Sequence, residues 1–505
     1  MINTFAFLDD FCLQQRHQLK RRFFTLKAIE DSGYNNPLQP PAYSTIQYVS
    51  ELDRYYMFCS FNTVFSDLKT QSEQCIMSLA ESEDGIHYHA AEGTLKNFPP
   101  HENVVFAGLG HSIHGPTVLY DPDDPDPARR FKCAGALDEP GRIMAYSPCT
   151  VSVSPDGKNW STADGKYKWS NFWSDSYNAL IWNPVLKCYQ IFCRALGTDR
   201  RICTVTSKDL VHWTEPQLIL HPDTMDGPNV EFYAMPVHYY QGIFYGFLWI
   251  YQTDEEDTVP YKMAGRMRCE LVYSYNGLNW NRTYQPVADH ADYEGENYGT
   301  FNISLYNTIL NREKDLFLTV GSMGRFGHGD GLYCHKDDNH LPPVFEKGAP
   351  HNSKRLIFSI KPGRYCGLES IGNSGRLRTK TFFIDKDGVM PTINAACPYG
   401  EMRVQLCKST NEPIPGFTFA DCIPFRGNEL AWKPLWKNRR IEEVAGKFIN
   451  MQIELQNACI FGISGSVKPF HGALPLNGYG DVAAAAKEVW GTMDKAPDYD
   501  ALEVQ

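Results

Sequence analysis

DSYNALIWNPVLKCYQIFCRALGTDRRICTVTSKDLVHW, residues Asp175–Trp213, shows most clearly how this chain is built. It contains three runs rich in aromatic and β-branched residues, and each run predicts a strand: Asn178–Trp182, Tyr189–Arg194 and Arg201–Thr206. Asn183-Pro184 predicts the turn between the first two strands. The third strand leads into the seven residues Ser207–Trp213, SKDLVHW, and similar units occur elsewhere in the chain.

The repeated unit begins with Ser, continues with a turn-forming Asp or Asn, and ends with an aromatic residue six positions after the Ser. Its four copies are Ser82–Tyr88, Ser154–Trp160, Ser207–Trp213 and Ser274–Trp280. We interpret each copy as a tight turn in which the Asp or Asn side chain accepts backbone N–H groups. Two or three strand-like runs precede each copy, and a four-stranded sheet cannot bury both faces alone. The repeat therefore predicts propeller blades, with a less regular fifth blade between Asn302 and Ser359.

The predicted fold class is all-β, a five-bladed β-propeller followed by a C-terminal β-sandwich. Residues 1–34 predict strands that pack on the body of the protein, and residues 35–365 predict the propeller. Residues 366–470 contain short alternating strands separated by turn clusters, which is typical of a sandwich. Residues 471–505 predict a tail with one short helix, and the tail or the sandwich could mediate self-association.

Composition excludes several classes of partner. The chain has 505 residues and a net charge of −11, which argues against a nucleic-acid partner. No apolar run reaches the roughly 18 residues of a membrane span, and residues 1–30 lack the apolar core of a signal peptide. The fifteen cysteines include no Cys-x-x-Cys pair, so we expect a reducing compartment, without disulfides or a zinc site. The predicted location is the cytoplasm, and no motif indicates a metal or another cofactor.

Several segments resemble known proteins in the same order along the chain. They are SKDLVHWTEP, FLDDFCLQQ at Phe7–Gln15, DPARRFKCAG at Asp126–Gly135, and the run from Arg376 to Trp432. Together they resemble the five-bladed propeller glycoside hydrolases of families 32 and 43, and more closely family-32-like bacterial proteins with a C-terminal β-sandwich. The resemblance implies the fold and a glycan-directed activity. The first blade departs from the family pattern, since it opens on Gln39–Ser44 and contains no acidic residue there.

Candidate catalytic acids come from the openings of successive blades. In a propeller, the innermost strand of each blade begins near the central axis, so the residues before those strands converge on one funnel. Asp175 opens the third blade, Glu231 the fourth, and Glu294 and Glu296 the fifth. Uncharged residues around Glu231 predict a general acid, whereas the hydrogen-bond donors beside Asp175 predict a nucleophile or general base. We assign Glu296 to orienting the substrate. Each acid could instead hold a turn or remain a solvated charge.

Further residues are candidates for substrate binding. Tyr177, Tyr233 and Tyr298 each follow a candidate acid by two residues, which returns to the same face of a strand and predicts an aromatic-lined pocket. The other candidates are Glu294 and four basic residues: His114, Arg194, Arg325 and His328. His114 could be structural, and Arg194 could simply pair with Asp175.

The predicted function is cleavage of a glycosidic bond in a small or partly degraded glycan, because such cleavage needs one protonated and one ionised carboxyl group. Two alternatives remain open. One is a glycoside phosphorylase or glycosyl transferase on the same fold, with the basic residues binding phosphate. The other is a non-catalytic carbohydrate-binding protein, which the missing acid of the first blade suggests.

Overall fold

The computed structural model describes residues 2–36, 38–39, 42–62, 75–107, 113–137, 149–161, 174–194, 199–253, 265–288, 302–324 and 353–469. Within these ranges the chain is nearly all-β, with 3-10 helices at Pro127–Arg129 and Ile441–Val444. It divides into two compact units. One consists of Met1–Phe23 together with Gly363–Gln505, and the other is Phe24–Pro362.

The N-terminal strands belong to both units. Strands β1 (Asn3–Ala6), β2 (Leu13–His17) and β3 (Lys20–Phe23) join the sheet of the first unit. Strand β4 (Lys27–Ile29) lies in the second unit, where it pairs with a strand more than 300 residues further along the chain. Strands β2 and β3 both pair with the same strand of that sheet, Cys366–Thr379, at its two ends.

The second unit is a five-bladed β-propeller, as predicted. The first blade contains β5 (Ser44–Val49), β6 (Arg54–Asn62), β7 (Cys75–Ser82), β8 (His89–Ala90) and β9 (Val104–Phe106). The second contains β10 (Ile113–Tyr120), β11 (Phe131–Leu137) and β12 (Cys149–Ser154). The third contains β13 (Ala179–Asn183), β14 (Cys188–Cys193), β15 (Ile202–Ser207) and β16 (Gln217–Leu220).

The last two blades are joined into one sheet by a single parallel bridge between Met267 and Asn302. The fourth contains β17 (Val230–Phe232), β18 (Val237–Tyr240), β19 (Ile243–Thr253), β20 (Gly265–Ser274) and β21 (Trp280–Pro286). The fifth contains β22 (Asn302–Asn311), β23 (Leu316–Gly324) and β24 (Ser353–Ile360), with β4 as its outermost strand. Because β4 precedes the first blade in sequence, it closes the ring of blades.

The four repeated turns share one hydrogen-bond pattern. In the second blade, Ser154 Oγ accepts from the Gly157 amide at 2.9 Å. Asp156 Oδ1 accepts from the amides of Lys158 and Asn159 at 2.9 and 2.8 Å. Gly157 has a φ of +74°, which favours glycine. The Trp160 indole donates to the Gly157 carbonyl at 3.0 Å, and its ring packs against Phe58 of the first blade. The aromatic therefore lies between neighbouring blades.

Ion pairs and apolar side chains fill the space between blades. One apolar cluster combines residues of the first and second blades, and another combines the second and third. Lys132 of β11 is fully buried, and its Nζ lies 2.9 Å from Asp124 and 3.2 Å from Asp121. Tyr189 of the third blade donates to Asp121 at 2.7 Å. This buried cluster connects two blades, because the same aspartate bonds to both.

In the described part of the first unit, ten strands form one connected sheet. Its C-terminal strands are β25 (Cys366–Thr379), β26 (Phe382–Ile384), β27 (Thr392–Ala396), β28 (Glu401–Lys408), β29 (Asn428–Trp432), β30 (Phe448–Gly465) and β31 (Val467–Pro469). Strand β30 pairs with β28 through its first half and with β27 and β1 through its second half, and both halves contribute side chains to one core. The described strands of this unit are therefore connected by hydrogen bonds and share one core, and the β-sandwich stays a prediction. The predicted tail helix lies outside the described residues.

Candidate functional site

Asp175 lies at the opening of the third blade and is held by cations from two blades. Its Oδ2 pairs with Nη2 of Arg194, the residue that follows β14. Its Oδ1 accepts from Nε2 of His114, in the second blade, at 2.8 Å and from the Ser176 amide at 2.6 Å. Burial alone would raise the pKa of Asp175, but Arg194, His114 and the amide hold that pKa well below its ordinary value. Asp175 is therefore a carboxylate at neutral pH.

His114 is the second cation at this carboxylate. Burial would lower the pKa of its imidazole, but the hydrogen bonds to Asp175 and to Cys75, whose Sγ lies 3.7 Å from Nδ1, raise that pKa well above its ordinary value. The ring therefore carries a positive charge at neutral pH. Arg194 pairs with Asp175, one of the two roles that the sequence leaves open for it, and His114 is an additional partner of the same carboxylate.

Glu231 lies in β17 of the fourth blade, and its side chain is only 6% exposed. Its Oε2 pairs with Nη1 of Arg200, which lies just before β15 of the third blade. The backbone fixes the same contact, since the Phe232 amide donates to the Arg200 carbonyl at 3.0 Å. The uncharged surroundings expected for Glu231 from its sequence neighbours are wrong, because the fold brings a guanidinium from another blade against it.

Tyr233 connects the two carboxylate–arginine pairs. The guanidinium carbon of Arg194 lies 4.6 Å from the centre of the Tyr233 ring, and that of Arg200 lies 5.6 Å from the same point. Arg200 also lies 5.1 Å from the ring centre of Tyr251. Cation–π contacts of this kind contribute about 0.5–2 kcal/mol each, more where water is excluded. Asp175 and Glu231 therefore belong to one continuous network across two blades.

An aromatic cluster lies beside this network. Trp249 of β19 stacks with Tyr177 and Tyr233 at ring-centre distances of 6.1 and 6.2 Å, and its indole donates to the Leu305 carbonyl at 2.8 Å. Tyr177 and Tyr233 are both buried. Both rings therefore lie at the floor of the site, and an aromatic-lined pocket there stays a prediction.

Tyr43 is the more accessible member of the cluster, and sequence reasoning missed it. Its ring meets His114 edge-on at 5.6 Å and lies 6.2 Å from the Tyr177 ring. Burial, together with the nearby Tyr233 and Asp175, raises the pKa of its phenol well above the ordinary value. Tyr43 comes directly before β5, at the opening of the first blade. An aromatic residue thus stands at the blade opening where no acid was found, and its position before the first strand was the available signal.

Five predicted site residues lie outside the described residues: Glu294, Glu296, Tyr298, Arg325 and His328. Their assignments remain predictions. Sequence reasoning also missed Arg200, whose only signal is its place in Asp199-Arg200-Arg201, at the same end of the third blade as Arg194.

The described residues also bear on metal binding and on membrane insertion. No group of three or more His, Cys, Asp or Glu side chains in the described ranges has the geometry to hold a metal ion. No helix in the same ranges is long and apolar enough to cross a membrane.

No family model matches the sequence, and no curated protein matches it. Solved structures similar to the chain include a thermostable family-43 glycoside hydrolase, 10% identical with a TM-score of 0.42, for which the alignment covers 65% of this chain and 92% of that one. An N-acetylgalactosamine deacetylase from F. plautii, in complex with blood group B trisaccharide, is 13% identical with a TM-score of 0.41, covering 68% and 95%. An exo-β-1,3-galactanase from Phanerochaete chrysosporium, with galactose, is 10% identical with a TM-score of 0.39, covering 84% and 95%. Function therefore has to be inferred from the residues of the site.

Proposed function

We propose that the protein is a glycoside hydrolase that cleaves a small or partly degraded glycan in the propeller funnel. One observation carries this proposal. Carboxylates from successive blades, Asp175 and Glu231, are each held by an arginine, and both arginines contact the ring of Tyr233. Two carboxyl groups fixed beside an aromatic surface are the groups that glycosidic cleavage requires. We place the activity in the cytoplasm because the described cysteines are buried in the fold, as expected of reduced side chains.

In the proposed mechanism Asp175 is the nucleophile or general base. Arg194 and His114 keep it ionised, so it can attack the anomeric carbon or remove a proton from water. Glu231 is the general acid that protonates the leaving oxygen, and Glu296 orients the substrate. Because a general acid must carry a proton, substrate binding in this mechanism separates Arg200 from Glu231, and Glu231 takes up a proton from water before it donates that proton to the leaving oxygen.

Substrate contacts in this proposal come from the rim of the aromatic cluster. Tyr43 offers an aromatic face beside His114. Nη1 of Arg194 is buried and has no hydrogen-bond partner among the described residues, although Nη2 is bonded to Asp175. A buried donor without a partner is costly. A sugar hydroxyl or carboxylate would satisfy it, so Arg194 both positions Asp175 and binds substrate in this proposal.

The balance of charge favours one second candidate, a glycoside phosphorylase or glycosyl transferase. Three cations, Arg194, Arg200 and His114, surround two carboxylates in the described part of the site. The positive excess would suit phosphate or a phosphorylated donor as the second substrate.

The test is a panel of aryl glycosides that covers many sugars, assayed with and without inorganic phosphate. Hydrolase activity predicts phosphate-independent release of the aryl group, which Asp175→Asn abolishes. Release that depends on phosphate supports the phosphorylase instead. A protein that binds sugars but cleaves none of them, and whose binding survives Asp175→Asn and Glu231→Gln, would be a carbohydrate-binding protein.

A further inference from the structure

The outer face of four strands in the first unit carries rows of planar polar side chains. Residues that lie opposite each other in β2, β25, β30 and β28 form three rows, here called the polar ladder. The first row is His17, Arg376, Glu454 and Arg403, the second is Gln15, Arg378, Gln452 and Gln405, and the third is Ser374, Gln456 and Glu401. The residues between them, such as Leu377, Ile453 and Val404, belong to the core. Because alternate residues of a strand point to opposite faces, the ladder faces away from the core.

Two cavities lie on the polar ladder. One, of 310 Å³, is lined by His17, Arg378, Gln452 and other ladder residues. The other, of 510 Å³, is lined by Tyr399, Glu401, Arg426 and Gln456 among others. Gly375 lies beside the first cavity, and on the core-facing side of β25 a Cβ there would lie 2.8 Å from the carbonyl oxygen of Gln18 in the β2–β3 turn. Glycine lets that turn fold down against the sheet.

The polar ladder carries more positive than negative charge. Arg376 pairs with Glu454, while Arg403 and Arg426 share Glu401 at 2.9 and 2.7 Å. Arg378 has no carboxylate partner within the described ranges. Its Nη2 and Nε lie 3.1 and 3.2 Å from the Gln452 amide oxygen, in the amide orientation that satisfies both groups. Three arginines of the polar ladder and the adjacent Arg426 thus face two glutamates, in a chain whose net charge is −11.

Tyr399 gives this face an aromatic surface. It lies in the turn between β27 and β28, at the second cavity, and it is 91% exposed. A tyrosine ring next to fixed planar polar groups suits the two sides of a sugar, because the ring covers C–H groups while amides and guanidinium groups bond hydroxyls.

We propose that the polar ladder is a binding site for an acidic oligosaccharide built from uronic acids. Arg378 binds a sugar carboxylate, Gln15, Gln452 and Gln456 bond hydroxyl groups, and Tyr399 stacks on a sugar ring. The polar ladder belongs to the first unit, and the proposal does not depend on catalysis in the propeller.

The experiment measures binding to the full chain by isothermal titration calorimetry. Tetragalacturonate is the acidic probe, a neutral galacto-oligosaccharide of the same length is the second, and polyglutamate is a polyanion without sugars. The variants are Arg378→Gln and Tyr399→Ala. Arg439→Gln is the matched control, because Arg439 is exposed, pairs with Glu443 at 2.7 Å and lines neither cavity. Unchanged thermal unfolding of each variant shows that it is folded.

We expect the wild type and Arg439→Gln to bind tetragalacturonate equally. Arg378→Gln should weaken that binding at least about tenfold, the loss expected for one charged hydrogen-bonded contact, and leave binding of the neutral probe unchanged. Tyr399→Ala should weaken the binding of both oligosaccharides. The proposal is overturned if the wild type does not bind tetragalacturonate, if Arg378→Gln binds it as well as the control does, or if polyglutamate binds as tightly as the acidic sugar.

Discussion

The ion pair between Arg194 and Asp175 should contribute measurably to the free energy of unfolding. The Arg194 side chain is 8% exposed and that of Asp175 is 27% exposed, so water screens the pair only partly. Removing one partner of a buried pair costs about 3–5 kcal/mol. When Arg194 is replaced, His114 still pairs with the Asp175 carboxylate. We therefore expect Arg194→Gln to lower the free energy of unfolding by about 3 kcal/mol, the low end of that range. Asp175→Asn should cost a similar amount, because it leaves two cations facing each other.

The double variant Arg194→Gln/Asp175→Asn measures the interaction energy between the two side chains, apart from their contacts with other residues. If the two residues stabilise each other, the double variant should lose less than the sum of the single losses, by about 2 kcal/mol for a charged hydrogen-bonded contact. The assay is urea unfolding of the full chain at pH 7, followed by tryptophan fluorescence. Losses that add to within about 0.5 kcal/mol would refute the coupling. The stability from Asp175 is present above the ordinary aspartate pKa of about 3.9, because its folded-state pKa is lower. The gap between wild type and Asp175→Asn should therefore shrink as the pH falls below that value.

Three further predictions concern the propeller. Lys132→Met removes the buried cation that pairs with Asp121 and Asp124. Because Arg129 still lies 3.5 Å from Asp124, the loss in urea unfolding should be about 3 kcal/mol, the low end of the range for a buried pair. Arg130→Met, which breaks a partly exposed pair, should cost less than about 1 kcal/mol, and equal losses would contradict this. Gly157→Ala should cost about 1–3 kcal/mol, since φ there is +74° and the new Cβ would lie 3.0 Å from the Phe58 ring; an unchanged unfolding midpoint would disprove this. The raised pKa of His114 predicts an imidazolium in NMR spectra at pH 7, and stability that is lost as the pH rises through that pKa; a neutral ring at pH 7 would exclude the assigned pairing.

The propeller could be predicted from the sequence because its repeated turns are local. Ser154, Asp156 and Gly157 form their hydrogen bonds within six residues, so the pattern is visible in the chain itself. The closure of the ring could not be predicted, because β4 is three residues long and pairs with Ile357–Ser359 at the other end of the propeller. For the same reason β2 and β3 gave no sign that they join the C-terminal sheet.

The site could be predicted only where one blade supplies both partners. Asp175 and Arg194 flank one pair of strands, so their contact follows from the local hairpin. Glu231 and Arg200 lie on different blades, and neighbouring residues in the sequence could not reveal that pairing. Tyr43 enters the site through ring contacts with three other blades, which depend on the closed ring.

The proposed roles of Glu231 as general acid and Asp175 as nucleophile or general base are tested most directly by the turnover of two substrates that differ only in their leaving group. A good leaving group departs without protonation, whereas a poor one needs the general acid. Glu231→Gln should therefore reduce kcat/KM far more for the poor leaving group than for the good one, while Asp175→Asn should reduce both. Equal losses on both substrates with Glu231→Gln, or full activity with Asp175→Asn, would contradict the mechanism.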